Sequence, residues 1–138
     1  MSLQENMPLK KATLALLVQM MTSDNQIAPI EEKYIDYVAK ELNISLLDVS
    51  EIRDNPEQFD LKPPQAEQER MTILYYLLFT MRMDGKIDER EEALCYKAAL
   101  KLGFNHQMVS DLIAVMKKSK DKDLPPDRML KEIKKYMN

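Results

Sequence analysis

The sequence predicts an all-α protein, folded as a single compact bundle of about seven helices. It has only 2 Gly in 138 residues and is rich in Leu, Met, Ala, Glu and Lys, which lose little conformational freedom in a helix. Its hydrophobic share of 45% and charged share of 31% are ordinary for a globular protein. The length fits one domain, residues 1–138.

An internal repeat is the third observation that supports this fold class. The chain overlays on itself after a shift of 60 residues, with eleven identities in the 39 positions from Leu14 to Ile52 and no gap. We therefore expect two pseudo-symmetric halves of three helices each, at about 9–53 and 65–120. A proline-containing linker at about 54–64 is expected between them.

The first two helices of each half are predicted from the distribution of apolar residues. The first, at about 9–23, recurs at about 65–83, and both copies are apolar on nearly every side. A helix of this kind is buried on every side, so we expect these two at the centre of the bundle. The second, at about 29–42, recurs at about 89–102 and has one apolar stripe.

The remaining helices are predicted from caps and from one further amphipathic segment. The third helix of each half is expected after Ser45 and after Asn105, because both residue types accept hydrogen bonds from free amides at a helix start. A seventh helix is expected at about 126–136. Its apolar face, suited to docking on the bundle, consists of Met129, Ile133 and Tyr136.

Charge and cysteine content indicate the compartment and exclude some functions. The net charge is −3, but residues from Lys117 onward hold eight Lys/Arg against four Asp/Glu, a local charge of +4, which leaves −7 before them. The chain as a whole is therefore not an evident nucleic-acid binder. Cys95 is the only cysteine, which fits a reducing compartment. With no hydrophobic signal core and no apolar run of the roughly 18 residues that a membrane span needs, we expect a cytoplasmic protein.

The segment MRMDGKIDEREE, residues 81–92, is similar to the second half of a calcium-binding loop. With Gly85 at the sixth position of an EF-hand, the first and third positions should hold Asp or Asn. Thr80 and Arg82 stand there instead. The chain is therefore not expected to contain a functional EF-hand.

Two interpretations of this segment remain open, and the first is structural. Gly85 would end one helix in the left-handed backbone region, and Asp88 would cap the next. Ile87 would fill the core between the two helices. In the first copy Asn25 and Ile27 take the matching positions of the turn.

The second interpretation is a site for a divalent cation. Calcium, magnesium and manganese are hard cations that prefer oxygen ligands. Several carboxylates lie within about one helical turn of each other in this segment, and fewer lie in its first copy. The candidate ligands are Asp84, Asp88, Glu91 and Glu92, with Asp24 and Glu31 in the first copy.

The motif Asp84-Gly85-Lys86-Ile87 followed by Glu91, with its echo Asp24-Asn25-Gln26-Ile27 followed by Glu31, resembles the TerB-like family. This family includes bacterial tellurite-resistance proteins and the N-terminal part of some membrane-anchored DnaJ-type co-chaperones. The resemblance covers Ala12 to about Leu112. It implies a helical bundle of two similar halves, a role in stress or metal-ion response through contacts with other proteins, and metal binding by the acidic motif residues. Asn25 departs from the family's glycine, and no His-Pro-Asp of a J-domain is present.

No catalytic constellation is evident in the sequence. His106 is expected to be an exposed residue at a helix start, Cys95 is expected to be buried, and there is no Gly-rich phosphate loop. We therefore expect a non-enzymatic module that acts through protein partners, with a divalent cation as an optional ligand. Two alternatives come from other classes. One is a metal-dependent enzyme with a pocket between the two acidic loops, and the other is contact of the basic segment 117–135 with an anionic surface or nucleic acid.

Overall fold

The computed structural model describes residues 6–22, 29–82 and 89–118, and these form six α-helices. They are α1 (Met7–Met21), α2 (Pro29–Glu41), α3 (Leu46–Asp54), α4 (Glu67–Arg82), α5 (Glu89–Lys101) and α6 (His106–Lys118). The same residues contain no β-strand, so the predicted all-α class is confirmed. The predicted seventh helix, at 126–136, lies outside the described residues.

Helices α1 and α4 form the centre of the bundle. Helix α1 contacts α2, α3, α4 and α5, and α4 also contacts α5 and α6. Because both helices are apolar on nearly every side, neither has a face that gains by staying in water. Their large side chains that are less than 2% exposed include Leu14, Leu17, Met20, Met21, Ile73, Leu74, Leu77, Leu78 and Met81.

Three helix starts are fixed by side-chain caps that are visible in the sequence. The Ser45 hydroxyl accepts a hydrogen bond of 3.2 Å from the Asp48 amide at the start of α3. The Asn105 side chain accepts one of 2.7 Å from the Gln107 amide at the start of α6. Asn6 does the same for α1, which therefore begins slightly earlier than the expected residue 9. Each cap satisfies an amide that has no partner within its helix.

One kind of turn connects α2 to α3 and α5 to α6. Asn43, with φ of 58°, and Gly103, with φ of 91°, adopt the left-handed backbone. The amide after each one bonds back to the preceding helix, from Ile44 to the Ala39 carbonyl at 2.9 Å and from Phe104 to the carbonyl of residue 99 at 3.0 Å. This is the C-terminal arrangement that Gly or Asn favours, since both tolerate positive φ.

The segment between α3 and α4 is longer than the linker expected at 54–64. It contains a 3-10 turn at Pro56–Gln58, and α4 begins at Glu67. Leu61 is buried within it, and the 3-10 turn contacts α1. Among the helices described above, none is long and apolar enough to cross a membrane.

Candidate functional site

Two glutamates on the first turns of α2 and α5 are buried, although carboxylates normally stay in water. Glu31 is 8% exposed and Glu91 is 6% exposed. Neither carboxylate lacks an interaction partner, as expected because an unpaired buried charge is costly. At a helix start they also lie at the positive end of the helix dipole. These two members of the predicted acidic motif are therefore integrated into the bundle.

The glutamates that follow them are held by cations on α3 and α6. Arg53 places Nη1 at 4.0 Å from Glu32 Oε1 and Nη2 at 3.7 Å from Asp36 Oδ1. Lys117 places Nζ at 3.1 Å from Glu92 Oε2. Pairs as exposed as these contribute little to stability, but they occupy the carboxylates. A cation bound at Glu92, one of the predicted ligands, would have to compete with Lys117.

Helix α2 contacts α4 at two points. Near the start of α2, the Tyr34 ring lies 5.6 Å from the Phe79 ring, which is near the end of α4. At the other end of α2, Glu41 accepts a hydrogen bond of 3.1 Å from the hydroxyl of Tyr76, which comes earlier in α4. The start of α2 therefore lies beside the end of α4.

Helix α5 also starts at this end of the bundle. Lys101, the last residue of α5, places Nζ at 2.7 Å from Asp60 Oδ1 in the linker that leads to α4. The end of α5 is thus near the linker, and its start is connected to the end of α4 by only the six residues 83–88. Since α4 and α5 also contact each other, the first turns of α2 and α5, with Glu31 and Glu91, share one end of the molecule.

Most of the predicted acidic motif lies outside the described residues. This applies to the candidate ligands and to the turn and cap residues, namely Asp24, Asn25, Ile27, Asp84, Gly85, Ile87 and Asp88. Within the part of the chain that is described, no three His, Cys, Asp or Glu side chains are grouped as a metal site requires. Metal binding therefore remains a prediction.

A second feature, which we call the tyrosine face, is formed by α2 and α4. It is defined by Tyr34, Tyr37, Glu41, Tyr75, Tyr76 and Phe79. The Tyr75 ring lies 5.9 Å from Phe79 and 6.0 Å from Tyr76, so the rings form a continuous row. Tyr37 is 63% exposed, and Tyr75 and Phe79 are partly buried. The face therefore presents aromatic surface to solvent.

The hydroxyl groups of this face influence one another. Burial raises the pKa of Tyr34, and the hydrogen bond between Tyr34 and Thr80 opposes that shift. Burial and then the negative charge of Glu41 raise the pKa of Tyr75 and of Tyr76. The tyrosines therefore stay protonated, and Tyr76 keeps donating its hydrogen bond to Glu41.

Two adjacent leucines on the first turn of α3 are almost fully exposed. Leu46 is 85% exposed and Leu47 is 81% exposed. The first two residues of α6, which follows the same kind of turn, are His106 and Gln107. A helix that follows this kind of turn can therefore start with polar residues, and the exposure of the two leucines shows that they contribute little to the core. We call Leu46 and Leu47 the leucine pair.

Neither Cys95 nor His106 has the surroundings of a catalytic residue. Cys95 is fully buried, and burial, followed by the charge of Glu92, raises the pKa of its thiol to about 12. A thiol of this kind is a poor nucleophile, because the thiolate is the reactive form. His106 is exposed and its ring stacks on Tyr96 with centroids 4.7 Å apart. The predictions of a buried cysteine and an exposed histidine at a helix start are confirmed.

Sequence reasoning did not identify the tyrosine face or the leucine pair. A signal for the first was present, since Tyr34, Tyr37 and Glu41 follow a helical spacing on α2. No family model matches this chain, and neither a curated protein nor a solved structure matches it. Function is therefore inferred from the residues and contacts of the chain itself.

Proposed function

We propose that this chain is a non-enzymatic, cytoplasmic TerB-like module that acts through contacts with protein partners in a stress or metal-ion response of the tellurite type. The leucine pair is the observation that carries the partner contact. Burying a leucine side chain is worth roughly 1.5–3 kcal/mol, and Leu46 and Leu47 leave this gain unrealised in the isolated chain. Adjacent exposed apolar residues of this size are typical of binding sites.

The TerB-like assignment is supported by the spacing of described elements. Helices α2 and α5 begin and end 60 residues apart, and so do the starts of α1 and α4 and of α3 and α6. The left-handed residues Asn43 and Gly103 follow the same spacing. This agreement favours two pseudo-symmetric halves. The buried, weakly acidic thiol of Cys95 favours a reducing compartment and a non-enzymatic role.

A divalent cation is proposed as a ligand at the end of the bundle where α2 and α5 start. Buried Glu31 and Glu91 share this end, and their positions match across the 60-residue spacing. The candidate ligands are Asp84, Asp88, Glu91 and Glu92, with Asp24 and Glu31 in the first copy. The ion would neutralise acidic groups at two helix starts and thereby stabilise them.

The partner contact is tested by replacing the leucine pair with the polar residues found at the start of α6. The double variant Leu46→His and Leu47→Gln should keep the thermal midpoint of the wild type, because both positions are exposed. Affinity capture from cell extract with wild type and variant, compared by quantitative mass spectrometry, should show at least one protein that the variant no longer retains.

A matched control for this test is the double variant Glu51→Gln and Lys33→Gln, which changes two exposed polar residues on α3 and α2. It should retain the same proteins as the wild type. If wild type and leucine variant retain identical sets of proteins, the leucine pair is not the contact surface and the proposal fails.

Cation binding is tested by amide NMR of the chelated protein during titration with calcium, magnesium or manganese. Saturable shifts at Glu91 and its neighbours, lost in Asp84→Asn, are expected. Asp60→Asn, a change at an exposed carboxylate near the opposite end of α5, should leave the shifts unchanged. Spectra without saturable shifts at millimolar metal would remove the cation from the proposal and leave the partner contact standing.

The two alternatives from the sequence depend on residues that the structure does not describe. A metal-dependent enzyme would need Asp24 and Asp84 in one pocket with the buried glutamates. A contact with an anionic surface would use the basic residues after Lys117, and charge reversal at Lys131, Lys134 and Lys135 would abolish a steeply salt-dependent binding.

A further inference from the structure

The tyrosine face has the composition of a binding surface. Tyrosine is enriched at the energetic centres of protein interfaces, because it offers a large rigid ring and a polar tip. Here the rings of Tyr75 and Phe79 form a partly buried floor, and Tyr37 stands beside them at 63% exposure. An exposed tyrosine at this position contributes little to the core of the bundle. Residue 97, the position 60 residues further on in α5, is an exposed lysine.

The chemistry of this face favours a basic partner segment. The faces of aromatic rings attract Lys and Arg side chains, and Glu41 adds a carboxylate among them. Helix α2 holds four Asp/Glu against two Lys/Arg, a net charge of −2, which adds to this attraction. An occupant needs apolar side chains for the floor and cations for the rings and the carboxylate.

The end of this chain has both properties. Residues 128–138 contain four Lys/Arg and one Asp/Glu. Their apolar side chains recur at the spacing of one helical face and are Met129, Leu130, Ile133, Tyr136 and Met137. The segment is also opposite in charge to the rest of the protein, since residues before Lys117 carry −7 and those from Lys117 onward carry +4.

The connection is long enough for this segment to reach the face. Helix α6 ends at Lys118, and the nine residues 119–127 span up to about 30 Å when extended. The 16 residues of α4, the longest described helix, measure about 24 Å. Because α6 contacts α4 and the span of residues 119–127 exceeds the length of α4, the connection is long enough for the segment to run along α4.

We propose that residues 128–138 dock on the tyrosine face of the same chain. The apolar stripe centred on Ile133 covers Tyr75 and Phe79, and the flanking cations lie against the exposed ring of Tyr37 and beside Glu41. The docked segment occupies a surface that another basic amphipathic helix would also fit. This inference is independent of the leucine pair and of cation binding.

The test uses the full chain with a nitroxide spin label at Asn138→Cys. The buried Cys95 is protected from the labelling reagent, so the label is confined to the chain end. In ¹⁵N-labelled protein, the label should cause selective loss of the amide signals of Tyr37, Glu41 and Tyr75. The signals of Leu46 and Leu47, which lie on α3 outside the tyrosine face, should lose less intensity than those of Tyr37, Glu41 and Tyr75.

Two pairs of variants distinguish docking from chance proximity. Ile133→Asp should restore the lost signals, whereas Ser119→Asp, which adds the same charge outside the docking segment, should not. Tyr37→Ala should also restore them, whereas Leu47→Ala should not. Because Tyr37 and Leu47 are exposed, neither change is expected to affect folding.

The proposal is overturned if the signals of Tyr37, Glu41 and Tyr75 keep their intensity, or if the losses map to a different surface. It is also overturned if the same losses appear when protein that carries the spin label but no ¹⁵N is mixed with ¹⁵N protein that carries no spin label. In that case the occupant is the segment of a second copy.

Discussion

The Tyr76 hydroxyl donates a hydrogen bond of 3.1 Å to the Glu41 carboxylate and so joins α4 to α2. The bond lies at the inner edge of the tyrosine face, where Tyr76 is buried and Glu41 remains exposed. It joins the last residue of α2 to the middle of α4 and holds the carboxylate beside the rings. The relationship has consequences for stability and for its dependence on pH.

Removal of this hydrogen bond should destabilise the protein moderately. In Tyr76→Phe the ring remains, and only the bond to Glu41 is lost. Because the acceptor is charged but exposed, we expect the free energy of unfolding to fall by about 1 kcal/mol. Urea unfolding followed by circular dichroism measures the change. Tyr96→Phe, which alters a tyrosine outside the tyrosine face, is the control, and an equal loss in both variants would contradict the assigned role of the bond.

The same tyrosines should make the protein sensitive to alkali. The pKa of Tyr76 is raised above its ordinary value of 10.0 in the folded state, so the folded protein retains a proton that the unfolded chain releases. The stability that this group contributes is complete below pH 10.0 and is lost as pH rises above it. Urea unfolding across this range should show a steeper loss in wild type than in Tyr76→Phe. If the free energy of unfolding falls equally with pH in both proteins, Tyr76 does not contribute to the alkaline sensitivity.

The sequence alone predicts those parts of the fold that depend on nearby residues. Ser45 and Asn105 were identifiable as caps because a cap acts within three residues. The central position of α1 and α4 was predictable because an apolar surface on all sides is visible within each segment. Contacts between distant segments give no such local signal. Tyr76 and Glu41 are 35 positions apart, so their bond could not be predicted from periodicity.

The candidate site shows the same limit of local patterns. Glu31 and Glu91 were identifiable as motif residues from their spacing, but charged residues on a first turn usually stay in water. Their burial follows from the neighbouring helices that meet at this end of the bundle. The salt bridge of Glu92 with Lys117 likewise depends on the pairing of α5 with α6.

The bundle should tolerate changes at the leucine pair and not at its centre. Leu77 is fully buried on α4, and Leu77→Ala leaves a cavity that should lower the free energy of unfolding by about 2–5 kcal/mol. The same substitution at Leu47, which is 81% exposed, should change it by less than about 0.5 kcal/mol. Chemical unfolding of both variants measures the difference. Similar values would mean that Leu47 contributes to the core or that Leu77 does not.

The two left-handed turns should respond differently to substitution of their residues. A Cβ at Gly103 would meet nothing within 4 Å, so Gly103→Ala is penalised only by its φ of 91°. We expect a loss of about 1–2 kcal/mol. Asn43→Gly at a φ of 58° should be nearly neutral, because relief of backbone strain offsets the greater freedom of the unfolded chain. Thermal unfolding compares the two, and an unchanged midpoint in Gly103→Ala would refute the predicted backbone strain.

Cys95 should react with thiol reagents only when the bundle opens. Its side chain is fully buried, and burial raises the pKa of the thiol from 9.0 to about 12. Both access to the reagent and the thiolate fraction are therefore reduced in the folded protein. Reaction with Ellman's reagent should be very slow in buffer and complete in urea, and destabilisation by Leu77→Ala should accelerate it in proportion to the open population. Asn138→Cys, which adds a thiol at the chain end, is the control and should release one equivalent rapidly. Rapid reaction of Cys95 in the folded wild type would contradict its burial in the core.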